Sequence, residues 1–72
     1  MALAQVKIVE GRVTIVEPNG EFITDRFNID PEYNIVPSLK QDDWVEYAEW
    51  DGGDPIIITS MWKTEPPKDI AL

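Results

Sequence analysis

The sequence predicts a small all-β protein: a five-stranded barrel that is closed or partly closed. Short runs rich in Val, Ile and Thr alternate apolar and polar residues, and Pro, Gly, Asn and Asp separate these runs. Helix signals are scarce throughout the chain. The chain has 72 residues, which is long enough for one hydrophobic core and too short for two. We therefore expect a single barrel domain at residues 1–63 and a flexible tail or linker stub at 64–72.

Three strands are predicted in the first part of the chain. Residues 6–17 alternate apolar and polar side chains, so we expect one long strand that bends at Gly11, where a missing side chain allows a bulge. The Pro18-Asn19-Gly20 turn predicts a hairpin, because Asn and Gly both tolerate positive φ angles. The hairpin leads to a second strand at 21–25. A short third strand is expected at 26–29, and the alternative is that these residues continue the second strand after a bend.

A long connection and a second hairpin are predicted in the rest of the chain. Residues 31–43 contain two prolines and no sustained periodicity, so we expect a connection with one 3₁₀ turn. Residues 44–50 alternate again and predict a fourth strand. The Asp-Gly-Gly-Asp turn at 51–54 leads to a final strand at 55–63, whose three consecutive isoleucines indicate burial over much of its length.

The composition excludes most catalytic classes. The chain has no Cys and no His, which removes thiolate and imidazole metal sites, thiol nucleophiles and Ser-His-Asp triads. We therefore expect no enzyme activity, no catalytic residue, no cofactor and no metal site. Six basic residues against 14 acidic ones give a net charge of −8, which opposes a generic binder of the phosphate backbone. Without an apolar run of membrane-spanning length or a signal peptide at the start, a soluble cytoplasmic protein is expected.

The order of these short motifs resembles cold-shock domains, a branch of the OB-fold family. The motifs are residues 11–25, then Phe27, the Pro-Ser-Leu at 37–39, and the Asp-Asp-Trp-Val-Glu-Tyr run at 42–47. The chain looks closest to the divergent cold-shock-like modules of germline RNA helicases and RNA-silencing proteins. The resemblance implies an OB-like barrel and a place in an RNA-processing or RNA-silencing assembly. An SH3-like barrel is the alternative architecture.

The nucleic-acid-binding residues of that family are mostly replaced in this chain. Where cold-shock domains have stacking aromatics and a Lys, this sequence has Thr, Ile and Val at 14–16, followed by a single aromatic, Phe22. A residual face for single-stranded RNA would consist of Phe22, Phe27, Arg12 and Arg26, because base stacking needs rings and phosphates need cations. The competing interpretation is that both rings fill the core and both arginines pair with nearby acids.

Three tryptophans are an unusual number for so short a chain. Trp44 and Trp50 share one face of the predicted fourth strand with Glu46, opposite the apolar residues of that strand. We predict a partner-binding surface of Trp50, Trp44, Glu46 and Asp51, in which Trp50 is the main anchor because it ends the strand beside an acidic turn. The acidic residues of this region could instead form only a solvated face.

These observations predict a non-enzymatic interaction module that binds a protein partner. The first alternative is a weak binder of single-stranded RNA. The second is an acidic inhibitor that imitates nucleic acid and occupies the cationic cleft of a nucleic-acid enzyme. We expect neither a membrane nor a small-molecule substrate among its partners.

Overall fold

The computed structural model describes residues 2–49 and 56–67, and these residues form one five-stranded antiparallel sheet. The strands follow the order β3-β2-β1-β4-β5, so β1 lies between β2 and β4. The fourth strand thus returns after a long connection to the side of the first, which is the arrangement of a Greek key. The strands are β1 (Ala2–Val9), β2 (Arg12–Val16), β3 (Phe22–Thr24), β4 (Trp44–Glu49) and β5 (Ile58–Thr64).

A single parallel bridge joins the two ends of this sheet. Phe27, which follows β3, pairs with Ile58 at the start of β5. The Asn28 N–H donates to the Ile58 carbonyl at 2.8 Å, and the Ile58 N–H donates to the Arg26 carbonyl at 3.1 Å. This contact gives the sheet a barrel-like form, and the prediction of a small all-β, five-stranded fold is confirmed. The described helical segments are two short 3₁₀ turns, and neither could cross a membrane.

The long first strand predicted at residues 6–17 is wrong. The structure divides this region into β1 and β2, which pair antiparallel with Val9 opposite Arg12. Glu10 and Gly11 form the two-residue turn between them, with φ angles of 52° and 78°. Two consecutive positive φ angles are typical of the tight hairpin turn that matches the twist of the flanking strands. Gly11 is therefore a turn residue, not a bulge inside one strand.

This turn predicts a stabilising substitution at Glu10. A φ of 52° is unfavourable for most residues with a β-carbon. Asn tolerates it better than Glu because its short polar side chain can hydrogen-bond to the local backbone, and Asn-Gly is the preferred pair for such turns. We expect Glu10→Asn to raise the free energy of unfolding by up to about 1 kcal/mol, measured by urea denaturation. Glu10→Val is the opposite control and should lower it. Equal stability of the two variants would contradict the turn assignment.

The remaining predicted elements match the structure to different degrees. The turn at 18–20 is observed, with the Gly20 N–H donating to the Glu17 carbonyl at 2.7 Å. The predicted third strand at 26–29 is wrong, because only Phe27 makes a bridge. Two 3₁₀ turns, Pro31–Tyr33 and Val36–Ser38, occur where one was expected. The turn predicted at 51–54 lies outside the described residues, as do residue 50 and the tail from 68 onward.

The core lies on one side of the sheet, and a bulge in β5 shapes it. Glu49 pairs with Ile58 while Ala48 pairs with Ser60, so β5 has one extra residue, Thr59. Because of this residue, Ile58 and Met61 both face the core although they are three positions apart. The core comprises Ala4, Val6, Ile15, Ile29, Leu39, Val45, Tyr47, Ile58 and Met61.

Thr24 connects the two ends of the sheet through its hydroxyl group. Its side chain is 3% exposed, its Oγ1 donates to the Ile56 carbonyl at 2.7 Å, and it accepts from the Arg26 N–H at 3.0 Å. Thr24→Val keeps the shape and leaves both backbone groups without this partner. We expect a loss of about 1–3 kcal/mol in the free energy of unfolding, measured by urea denaturation.

Thr59→Val is the matched control for this prediction. Thr59 is a half-buried residue of β5, and its hydroxyl makes no hydrogen bond within the described part of the chain. This variant should keep its stability within about 0.5 kcal/mol. Equal effects of the two valine substitutions would show that the Thr24 hydroxyl does not contribute to closure of the sheet.

Candidate functional site

An open groove, here called the β5 groove, runs between β5 and the first 3₁₀ turn. It has a volume of about 630 Å³. The 3₁₀ turn is set by Asp30 and Pro31, since the Asp30 carboxylate accepts a hydrogen bond from the Glu32 N–H at 3.0 Å and proline occupies the first helical position. This local structure places Asp30, Glu32 and Tyr33 along one wall of the groove. Ser60, Met61 and Trp62 of β5 line the other wall.

Two exposed aromatic side chains line the β5 groove. Tyr33 is 67% exposed and Trp62 is 38% exposed. The Trp62 Nε1–H donates to Glu46 Oε1 at 3.3 Å, across the β4–β5 pair in which these two residues are opposite each other. This hydrogen bond restrains the indole ring while leaving part of its apolar surface in solvent. Partly exposed, restrained aromatic rings are typical of binding surfaces.

The charge around the β5 groove is negative. Asp30 and Glu32 belong to its lining, and Glu46 accepts a hydrogen bond from Trp62 at its side. In the part of the chain that the structure describes, no Lys or Arg lines the groove. The groove therefore offers apolar ring surface together with carboxylates. This combination suits a ligand that carries both apolar and cationic groups.

A second groove, here called the β2 groove, lies on the outer side of β1, β2 and β3. It has a volume of about 620 Å³, and its lining includes Phe22, Arg12 and Lys7. Phe22 is 60% exposed. The structure thus brings together Arg12 and Phe22 from the predicted RNA face. Phe27 instead packs against the core, and Arg26 is exposed but does not line this groove.

Both cations of the β2 groove have carboxylate partners. Arg12 Nη1 lies 2.9 Å from Asp25 Oδ2, and Lys7 Nζ pairs with Asp42 Oδ1. Asp42 is held beside β1 because its N–H donates to the Val6 carbonyl at 2.9 Å. A phosphate would have to compete with these carboxylates for both cations, which weakens the electrostatic attraction that nucleic-acid binding requires.

The predicted partner-binding surface is described only in part. Trp44 and Glu46 are half-buried on β4, and the structure places Glu46 beside Trp62. Trp50 and Asp51 lie outside the described residues. Sequence reasoning missed Trp62 and Tyr33 as site residues. The alternation of Ser60, Trp62 and Thr64 could have identified Trp62, because its neighbours at i−2 and i+2 are both polar.

The acidic residues in the described part of the chain do not form a metal site. No group of three or more carboxylates there is arranged to hold an ion. The described residues thus define a small all-β, barrel-like protein in which the β5 groove and the β2 groove are both open and lined by aromatic residues. Comparison with known proteins finds no match among family models, curated proteins or solved structures.

Proposed function

We propose that this chain is a non-enzymatic interaction module that binds a segment of a protein partner in the β5 groove. The observation that supports this function is the exposure of Tyr33 and Trp62 in a groove whose charged lining residues, among those the structure describes, are Asp30 and Glu32. Exposed aromatic rings supply apolar contact area, and the carboxylates favour a basic partner. The β2 groove is less suitable for a charged ligand because its cations are already paired.

We also propose that the barrel is OB-like rather than SH3-like. The Greek-key order of β1 to β4 supports this, since OB folds are five-stranded Greek-key barrels. The parallel bridge between Phe27 and Ile58 adds support, because it connects the end of the Greek key to β5. Together with the resemblance to cold-shock modules, this architecture is our reason to place the partner in a cytoplasmic RNA-processing or RNA-silencing assembly.

A selection from random peptides tests the proposed function and needs no candidate partner. The chain is immobilised as bait for a display library of random peptides, and selected peptides are titrated while backbone amide NMR signals are recorded. We expect the largest shift changes at Tyr33, Trp62 and Asp30. Shift changes that concentrate at Phe22 and Arg12 would contradict the assignment of the β5 groove.

Binding of single-stranded RNA in the β2 groove is the second candidate, and the exposed Phe22 ring favours it. We expect this binding to be weak, with a Kd no tighter than about 10⁻⁴–10⁻⁶ M at physiological salt, because Arg12 and Lys7 are paired and the net charge is −8. Fluorescence anisotropy with a labelled oligouridine measures this affinity. A submicromolar Kd that is lost in Phe22→Ala would make RNA binding the main function.

A further inference from the structure

We infer that the partner segment binds in an extended conformation and adds a strand to the open edge of β5. This inference rests on the proposed function, because it specifies how a ligand occupies the β5 groove. It commits to an extended protein segment in which cationic and apolar side chains alternate.

Within residues 2–49 and 56–67, almost no backbone group pairs with the edge of β5 that faces the groove. On one side, β5 pairs with β4 along its length. On the other side, the described residues make backbone hydrogen bonds only to Ile58, from Asn28 and Arg26. After Asn28, the segment that makes this bridge no longer pairs with β5 and enters the first 3₁₀ turn at Pro31. From Thr59 onward, the open edge of β5 therefore borders the β5 groove.

The direction of the peptide groups follows from the position of Ile58. The Ile58 N–H and C=O point away from β4, since they bond to Arg26 and Asn28. Along one strand, residues whose side chains face the same side of the sheet have peptide groups that point to the same edge. Met61 faces the core as Ile58 does, so its N–H and C=O point to the open edge, and by alternation so do those of Lys63. These groups can pair with an added strand, as in other cases of β-strand addition.

Lys63 at this edge pairs with Asp43, its Nζ lying 3.6 Å from Asp43 Oδ2, and the charged residues described in the groove are acidic. The charges therefore favour a basic partner over a second copy of the chain. Asp30 and Glu32 line the groove, and the whole chain has a net charge of −8. Pairing two β5 edges would bring these like charges together. An Arg or Lys of a partner could instead contact the faces of Tyr33 and Trp62 and pair with the carboxylates. Apolar residues in alternate positions would contact the remaining ring surface.

The probe for this inference is a synthetic peptide of about eight residues, a common strand length, that alternates arginine and valine. In a bound strand, alternate N–H groups face β5 and the others face solvent. Two N-methylated versions of the peptide are made. One carries the methyl groups on the backbone nitrogens of the arginines, and the other carries them on those of the valines. Both versions keep the charge and side chains of the parent peptide. Calorimetry gives the affinities, and amide hydrogen exchange is followed at Met61 and Lys63.

We expect the parent peptide to slow exchange of the Met61 and Lys63 amides at least tenfold. One N-methylated version should bind at least tenfold more weakly than the other. Equal affinity of both versions, combined with weaker binding to Trp62→Ala, would overturn strand addition but leave the proposed function intact. Absence of binding of the arginine-valine peptide would overturn the inference that the ligand alternates cationic and apolar side chains. The random-peptide selection would then test the proposed function separately. Sedimentation that shows a dimer with protected Met61 and Lys63 amides would identify a second copy as the occupant and overturn the inference.

Discussion

Ile58→Ala is expected to lower the free energy of unfolding by about 2–5 kcal/mol, the usual range for a large aliphatic side chain truncated inside a core. Ile58 is among the largest fully buried residues, and its backbone also forms the bridge that joins the two ends of the sheet. A 72-residue domain has a total stability of roughly 4–11 kcal/mol, so this loss is a large part of it. We expect the variant to be partly unfolded at physiological temperature.

Urea denaturation followed by tryptophan fluorescence measures this effect, and Val9→Ala is its control. Val9 is a strand residue of similar type but is 57% exposed. Its truncation should change stability by no more than about 0.5 kcal/mol. If Ile58→Ala and Val9→Ala have the same stability, Ile58 does not occupy the core position that the structure gives it.

The core face of β4 can be predicted from local alternation. The sequence places Val45 and Tyr47 on one face of this strand, and both are buried in the core. The same reasoning fails at Glu10 and Gly11. Val6 and Ile8 have even positions, whereas Val13 and Ile15 have odd ones, and this change of phase indicates a turn between the two pairs. A two-residue turn is easily overlooked, because Val9 and Gly11 fall in phase with the later alternation.

Features that depend on distant partners cannot be predicted from the sequence. The extra residue Thr59 in β5 is recognised only from the pairing of that strand with β4. The bridge from Phe27 to Ile58 joins positions far apart in the chain, and no local pattern encodes it. Alternation alone would place Ile58 and Met61 on opposite faces, so the shape of the β5 groove does not follow from the local pattern.

Residue type and strand position identify only part of the candidate site. Trp44 and Glu46 share a face of β4, and the structure adds Trp62 beside Glu46 through a hydrogen bond across the strand pair. Tyr33 has no periodic pattern around it, so its exposure depends on the 3₁₀ turn that follows Asp30. Strand position therefore predicts the site residues on β4, whereas Tyr33 comes from the connection between β3 and β4, which has no periodic pattern.

Trp62→Ala is expected to weaken binding of the selected peptides by about 2 kcal/mol or more, the usual threshold for a main anchor of an interface. The indole contributes apolar area to the β5 groove, and Glu46 restrains it, so little ordering of this ring is needed on binding. Since Trp62 is 38% exposed and lies outside the core, its truncation should lower the free energy of unfolding by about 1–2 kcal/mol, which is less than a core truncation costs, and leave the domain folded. Calorimetric titration and urea denaturation of the same samples measure the two effects.

Phe22→Ala is the matched control, because it removes another exposed aromatic ring, from the β2 groove. Peptide affinity should stay within about a factor of two, well below the tenfold change that 1.4 kcal/mol represents. If Trp62→Ala unfolds the domain, the indole has a structural role and the anchor assignment is wrong. If the selected peptides lose affinity with Phe22→Ala instead, the binding surface is the β2 groove. A loss of peptide affinity with Trp62→Ala in a domain that remains folded, without such a loss with Phe22→Ala, is the result that the geometry of the β5 groove predicts.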